Sequence, residues 1–208
     1  IILSIPIVQS KVAYGIASKI NENYDTNIRV GGVSIGANGS ISLKSFFIAD
    51  HHSDTLFFAE NFKTDLYSFS QWVDGNLFFR AAELKNPYVK IRRYKNEGKN
   101  SFSHFSEKLL SHLPPEERNP VFIRLNKIKI YDGQISLNDS LIQKNTLKID
   151  RVNLIAEDFF IVNDFFQIDL KDFSLKSDDF GNLTSLKTKI TIDPCEIGVE
   201  SFQAKLEE

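Results

Sequence analysis

The sequence predicts a mainly β protein with a minor helical part, built on a curved, twisted antiparallel sheet. Three observations lead to this prediction. One short pattern of apolar residues recurs along most of the chain. Helical periodicity is confined to two stretches, near residues 6–23 and 101–113. Turn signals rich in Gly, Asn and Asp separate the remaining segments, as they do in sheets built from hairpins.

The recurring pattern is apolar, any, apolar, two spacers, apolar, any, apolar. Seven segments carry it: Ile28–Ile35, Ile41–Ile48, Leu77–Leu84, Ile123–Ile130, Leu147–Leu154, Ile168–Leu175 and Ile197–Ala204. A flat strand has a period of two, so the two spacers shift the alternation by one residue. The intervals between copies are irregular, which argues against a solenoid of fixed period.

Two structures explain such a strand. The spacers can form a β-bulge, which returns both apolar halves to one face and bends the strand. Alternatively, the strand crosses between two packed sheets and contributes to the core on opposite faces in turn. We favour the bulge because repeated bends produce a curved sheet, and a curved sheet with an apolar concave face forms a trough.

The first element is an amphipathic helix over residues 6–23, preceded by an apolar lead. Pro6 lies in the first turn, where its missing N–H costs nothing. The stripe of this helix continues from Ile5 through Val8, Val12, Ile16 and Ile20. "IILSIPIV" is too short to span a bilayer, which needs about 20 residues. We assign residues 1–23 to the end of a membrane anchor and this helix.

Residues 26–97 form the first predicted β half. "GANG" at 36–39 predicts a hairpin between its first two strands. "GNLFFRAAELKNPYVKIRRY" predicts one long strand or two strands joined near Pro87.

Residues 98–119 form a helical insertion and linker, and residues 120–208 a second β half that continues into a larger protein. The insertion has an apolar stripe of Phe102, Phe105, Leu109 and Leu113 and ends at Pro114. The second half contains strands near 121–138, 145–157, 165–176, 183–193 and 196–206. Asp132-Gly133 favours a hairpin, although a bulge inside one long strand is the alternative.

Composition and motifs argue against catalysis. The net charge of −2, with 25 basic and 27 acidic residues interleaved, gives no basic stripe for nucleic acid. No phosphate loop, nucleophile elbow or dinucleotide fingerprint is present. His51 and His52 stand in the predicted turn "DHHSD". We expect a solvated turn and no metal, because adjacent strand residues would face opposite sides and no ligand spacing of a known type is present. His104 and His112 are expected at the surface. We therefore predict no enzyme, no metal and no cofactor.

Several segments together resemble the membrane-proximal part of the TamB proteins, within the broader AsmA-like family. These are "SIPIVQSKVAYGIASKINENYDTNIRVGGVSI", "DHHSDTLFFAENFKTDL" and "KIKIYDGQISLND". The shared order is an apolar lead, a helix with Pro6, Val8 and Gln9, paired strands, and an Asp-His-x-x-Asp-Thr-Leu turn. In this chain that turn is Asp50, His52, Asp54, Thr55 and Leu56.

The resemblance implies a periplasmic protein, anchored in the inner membrane of a Gram-negative bacterium by one N-terminal helix. It implies a twisted, U-shaped β groove that shields phospholipid acyl chains and moves lipid between the two membranes. It also implies support of outer-membrane protein assembly, through a C-terminal region that meets an outer-membrane partner and is not part of this chain. Ile1–Ile5 would then be the last residues of the anchor.

The predicted groove lining follows from the apolar positions of the best pattern copies. It comprises Ile41, Leu43, Phe46, Ile48, Ile123, Leu125, Ile128, Ile130, Leu147, Ile149, Val152, Leu154, Ile168, Leu170, Phe173 and Leu175. The alternative function is a structural or adaptor module. In that case the same apolar faces form a closed core, and the outer surface binds a protein partner.

Overall fold

The computed structural model describes residues 18, 21–22, 25–36, 40–66, 77–111, 122–140, 146–162, 165–178, 181–193 and 195–207. Most of the helix predicted over 6–23, including Val8, Val12, Ile16 and Ile20, lies outside the described residues. Leu113 and His112 lie outside them as well. Within the described part, no helix is both long and apolar enough to cross a membrane.

The described chain is mainly β, with one sheet of ten strands and one short helix, α1. The elements in chain order are β1 Ile28–Ile35, β2 Ser40–Ala49, β3 Thr55–Leu66, β4 Leu77–Lys85, β5 Tyr88–Arg93, α1 Ser101–Ser111, β6 Phe122–Asp139, β7 Thr146–Val162, β8 Phe165–Ser177, β9 Gly181–Ile192 and β10 Ile197–Leu206. The order in the sheet is β1-β2-β3-β4-β6-β7-β8-β9-β10, and β5 pairs with β3 and β6. The two predicted β halves therefore share one sheet.

The sheet is mixed, so the prediction of a purely antiparallel sheet is wrong at one place. β4 and β5 both run parallel to β6, whereas the other neighbouring strands are antiparallel. Parallel neighbours need a crossover of a dozen or more residues. The segment between Arg93 and Phe122, which contains α1, provides it. The predicted hairpin between β1 and β2 is confirmed by their antiparallel pairing.

β4 and β5 are two parts of one interrupted strand. Lys85 pairs with Asn61. Tyr88, three residues later, pairs with Phe58, three residues earlier in β3, so both parts keep the same antiparallel register. Asn86, between them, has a φ of 47°. The break near Pro87 is therefore a kink that leaves the alignment with β3 unchanged.

Left-handed residues stand at the second spacer in three of the seven copies of the apolar pattern, and at the equivalent place in three further segments. They are Ser45, Asn86, Asp132, Arg151, Asp158 and Ser201, with φ between 47° and 55°. In the other four copies the second spacer, which is Gly32, Ala81, Lys127 or Asp172, is not left-handed. The three further segments are Ala82–Val89, Ile128–Ile135 and Leu154–Ile161, in which the residue after the left-handed position is Pro87, Gly133 and Phe159. A left-handed residue bends the strand, because it departs sharply from extended geometry.

The strands bend without leaving the sheet. Pairing of β7 with β8 shifts register near Asp150 and again near Glu157, and pairing of β9 with β10 shifts after Glu200, as bulges require. Between β1 and β2 the spacers oppose each other, and the register continues unchanged. Since the described strands form one sheet, the crossing between two sheets is excluded for them. Asp132 lies inside the continuous strand β6, so the hairpin expected there is wrong and the bulge is correct.

The packing of the described elements is that of a single layer. Their substantial contacts join strands that neighbour each other in the sheet, or join α1 to β5. Among the described residues, the largest fully buried side chain is that of Ser101. A closed two-layer core would instead bury many large apolar side chains completely.

Candidate functional site: the apolar face and its borders

One face of the sheet carries an unbroken row of apolar side chains. Residues that pair across neighbouring strands project on the same face. The row contains one residue from each of nine strands: Val33, Leu43, Phe62, Leu84, Ile130, Leu154, Phe173, Leu186 and Ala204. Eight gaps of about 4.8 Å give this row a length of roughly 38 Å.

The sixteen side chains predicted to line a groove extend this row. Each of them pairs across the sheet with an apolar residue or, for Val152, with Gly133. Leu125, Val152 and Leu170 are buried, and most of the others are only half-buried. The side chain of Ile123 is outside the described set. The face is thus continuous and apolar, and it is only partly covered by the described residues.

The opposite face is largely polar along a parallel row. Its members pair in the order Ser34, Ser42, Lys63, Glu83, Lys129, Ile155 and Asp172, with Ile155 as the apolar exception. Each of Ser42, Lys129 and Asp172 is the chain neighbour of a member of the apolar row. The sheet is therefore amphipathic, because strand alternation separates the two rows.

Helix α1 begins beside one end of the apolar face. The carbonyl oxygen of the Asn100 side chain accepts a hydrogen bond from the N–H of Ser103 at 2.9 Å and caps the helix. Ser101 is fully buried, and its hydroxyl oxygen accepts a hydrogen bond from the N–H of Arg92 at 3.0 Å. Phe102, predicted to face inward, is 54% exposed. The predicted stripe is wrong there because the buried contact at this end is made by Ser101.

A pocket of about 600 Å³ lies between the start of α1 and strands β5, β6 and β7. Its apolar wall is formed by Ile91, Leu137 and Leu147, which pair across these strands and continue the apolar face. Its polar border includes Arg93, which forms an ion pair with Asp139. The apolar face therefore ends in a recess with a charged rim.

Strand β10 forms one edge of the sheet and exposes apolar side chains. Ile197 is 70% exposed, Phe202 65% and Leu206 74%. Ile197 and Phe202 occupy apolar positions of the pattern copy Ile197–Ala204, and Leu206 lies two residues beyond it. Apolar exposure of this extent at a free strand edge is typical of a surface that receives a partner.

The turn between β2 and β3 brings His51 and His52 to the same side. One oxygen of the buried Asp50 carboxylate accepts hydrogen bonds from the N–H groups of His52 and Asp54, both at 2.9 Å. The other oxygen accepts one from the Tyr94 hydroxyl at 2.6 Å. The predicted turn is confirmed. The expectation that the two imidazoles face opposite sides is wrong, because side chains in a turn do not alternate as they do in a strand.

Both imidazoles meet Glu97, which follows β5 in the chain. His51 Nε2 lies 2.8 Å from one Glu97 oxygen, and His52 Nε2 lies 2.6 Å from the other. The hydrogen bond from His52, and then that from His51, lowers the pKa of Glu97. His104, expected at the surface, joins this group from the first turn of α1. Glu97 could not be predicted from the sequence, because nothing local in "NEGKN" connects it with a turn more than forty residues earlier.

Comparison with known proteins does not assign this chain to a family. No family model matches the chain, and no curated protein matches it either.

Proposed function

We propose that this protein shields phospholipid acyl chains on the apolar face of its sheet, as part of a TamB-like member of the AsmA-like family. In that role it would be the membrane-proximal part of a periplasmic protein anchored in the inner membrane. It would move phospholipid between the inner and outer membranes or support assembly of outer-membrane proteins. The observation that carries the proposal is the nine-residue apolar row on a face that the described elements cover only in part.

The dimensions suit an acyl chain. Half of a bilayer's hydrocarbon core is about 15 Å thick, so a single acyl chain is shorter than the roughly 38 Å row. Binding needs only a continuous apolar surface, since each buried CH2 contributes about 0.8 kcal/mol. Ten methylenes along the row would therefore contribute about 8 kcal/mol before the costs of association. No catalytic group takes part.

The borders of the face support the same function. The kinks at the spacers bend neighbouring strands, which favours a trough over a flat sheet. The recess beside α1 closes one end with an apolar wall, and the Arg93–Asp139 ion pair gives it a polar rim. At the other edge, β10 is open to further strands or to a protein partner.

Site-specific photo-crosslinking in cells tests the proposal. A photoreactive residue is placed at Leu43, Ile130 or Phe173 on the apolar row. The matched controls carry it at the adjacent residues Ser42, Lys129 and Asp172 on the opposite face. Mass spectrometry should find phospholipid adducts at the first set and few or none at the second.

Two outcomes would overturn the proposal. Equal lipid capture on both faces would indicate general membrane proximity rather than a groove. Adducts with protein alone at all three apolar positions would instead favour the alternative, a structural or adaptor module that binds a protein partner.

A further inference from the structure

Four potential metal-binding side chains meet at the end of the sheet where β2 turns into β3. His51 and His52 come from that turn, Glu97 from the segment after β5, and His104 from the first turn of α1. Three separate parts of the chain therefore converge on one point. Neither the apolar face nor the proposed lipid function uses these residues.

The separation of the donor atoms fits a small divalent cation. One donor atom each from His51, His52 and Glu97 lies within 4.8 Å of the other two. Zn–N and Zn–O bonds are about 2.0–2.2 Å long, so the ligands of a tetrahedral site are separated by about 3.4 Å. The hydrogen-bonded contacts of 2.8 Å and 2.6 Å would need to open by less than about 1 Å to admit the ion.

His104 provides a fourth donor. Its Nε2 lies 3.6 Å from the Glu97 oxygen that faces His51, and its ring centroid lies 4.2 Å from that of His51. Three imidazoles and one carboxylate form a ligand set that suits Zn²⁺ and the neighbouring transition metals. Their side chains range from 18% exposed at His51 to 47% at His52, so the site is accessible to an ion from solvent.

The surroundings hold the ligands in place. Asp50 fixes the turn through the hydrogen bonds described above, and the Tyr94 ring packs 3.9 Å from that of His52. Asp54, at the end of the same turn, pairs with Lys90 at 2.8 Å and with Arg92 at 2.7 Å, which holds both cations at its own carboxylate. Orientation of ligands by a second layer of contacts is a common feature of metal sites in proteins.

We propose that His51, His52 and Glu97, with His104 as the fourth ligand, bind one divalent transition-metal ion of the Zn²⁺ class. The ion would tie the β2–β3 turn to the segment that leads into α1. It would therefore have a structural role at one end of the sheet. The competing explanation is that Glu97 joins the imidazoles by hydrogen bonds alone, without any metal.

The experiment uses the full chain without a polyhistidine tag, stripped of metal with EDTA and then dialysed. Isothermal titration calorimetry with Zn²⁺ should give one ion per chain, with a Kd in the micromolar range or below. His52→Ala and Glu97→Gln should each weaken binding by at least about tenfold. Glu107→Gln is the matched control, since Glu107 is a nearby carboxylate on α1 that pairs with Lys99. It should leave the affinity unchanged.

Substitution of Co²⁺ for Zn²⁺ tests the fourth ligand. The wild type should show the intense visible absorption of tetrahedral Co²⁺, and His104→Ala should shift or weaken that band. Circular dichroism of each metal-free variant establishes that it is folded. The proposal is overturned if folded wild type binds Zn²⁺ no more tightly than the His51→Ala/His52→Ala double variant, or if Glu97→Gln and Glu107→Gln have equal effects.

Discussion

Arg151 offers a direct test of the kinked strands. Its φ of 51° lies in the left-handed region, and its side chain is exposed on β7. The other left-handed second spacers are Ser, Asn or Asp, and Asn and Asp in particular tolerate this conformation. Arg151 is thus the member of the series with the least suitable side chain.

The substitution Arg151→Gly should stabilise the protein. The left-handed conformation costs an L residue about 1–2 kcal/mol, and glycine avoids this cost. Glycine inside a strand loses about 0.5–1 kcal/mol through backbone entropy. The net expectation is a gain of about 0.5–1 kcal/mol in the free energy of unfolding.

Lys148 provides the matched control in the same strand. It is also exposed and basic, but its φ is not positive. Lys148→Gly should therefore show only the entropic loss of about 0.5–1 kcal/mol. Urea unfolding followed by circular dichroism measures both variants. With an m value of about 2 kcal/mol/M, the two midpoints should move in opposite directions by roughly 0.3–0.5 M.

The sign of the stability change on Arg151→Gly decides whether Arg151 has a left-handed backbone conformation. If Arg151→Gly lowers the urea midpoint as much as Lys148→Gly does, the backbone at residue 151 is not in the left-handed region. The bend in the apolar face would then need another cause. Arg151→Asn is a second test of the same conformation, because Asn tolerates the left-handed region without the full entropic cost of glycine.

Three further results are expected. Gly133→Ala should lose about 1–2 kcal/mol of stability in urea unfolding, since a Cβ there would lie 3.1–3.3 Å from three packed side chains, whereas Gly98→Ala, with open space around it, should change little. Burial, and then a hydrogen bond to Asp50, raises the pKa of Tyr94 to about 12, above its ordinary 10.0. The wild type in EDTA should therefore lose stability relative to Tyr94→Phe as the pH rises from 10 to 12. Parallel curves of stability against pH for the two proteins would contradict this. Asp50→Ala should cost about 2 kcal/mol, because it removes the acceptor of two backbone N–H groups in the turn, and an unchanged thermal midpoint would argue against that role.

The apolar face could be predicted from the sequence because its cause is local. Alternation within a strand fixes which side chains share a face, and the two spacers mark where that alternation restarts. The predicted residues Leu43, Ile130, Leu154 and Phe173 therefore fall into one row across the sheet. The second kink of β7, at Asp158, and the extension of this strand to Val162 are not among the sequence predictions. The pattern copy that contains this kink begins at Leu154, which is also the last residue of the preceding copy.

The parallel pairing and the histidine cluster could not be predicted in the same way. Whether β4 lies beside β6 depends on the path of the long connection that contains α1, and apolar periodicity carries no information on that path. The meeting of His52, Glu97 and His104 depends on the same connection. "DHHSD" predicts the turn correctly, but nothing in it indicates the partners Glu97 and His104, which lie more than forty residues later.

The crossover between β5 and β6 also has a consequence for how the chain folds. On one side of it, β1 to β4 pair in sequence order and β5 continues the line of β4 beside β3; on the other side, β6 to β10 pair in sequence order. Such local pairs close short loops, whereas joining β4 and β5 to β6 requires closure of a much longer one. The two meanders should therefore form early and independently, and their docking along β6 should be the slow step that produces the native sheet.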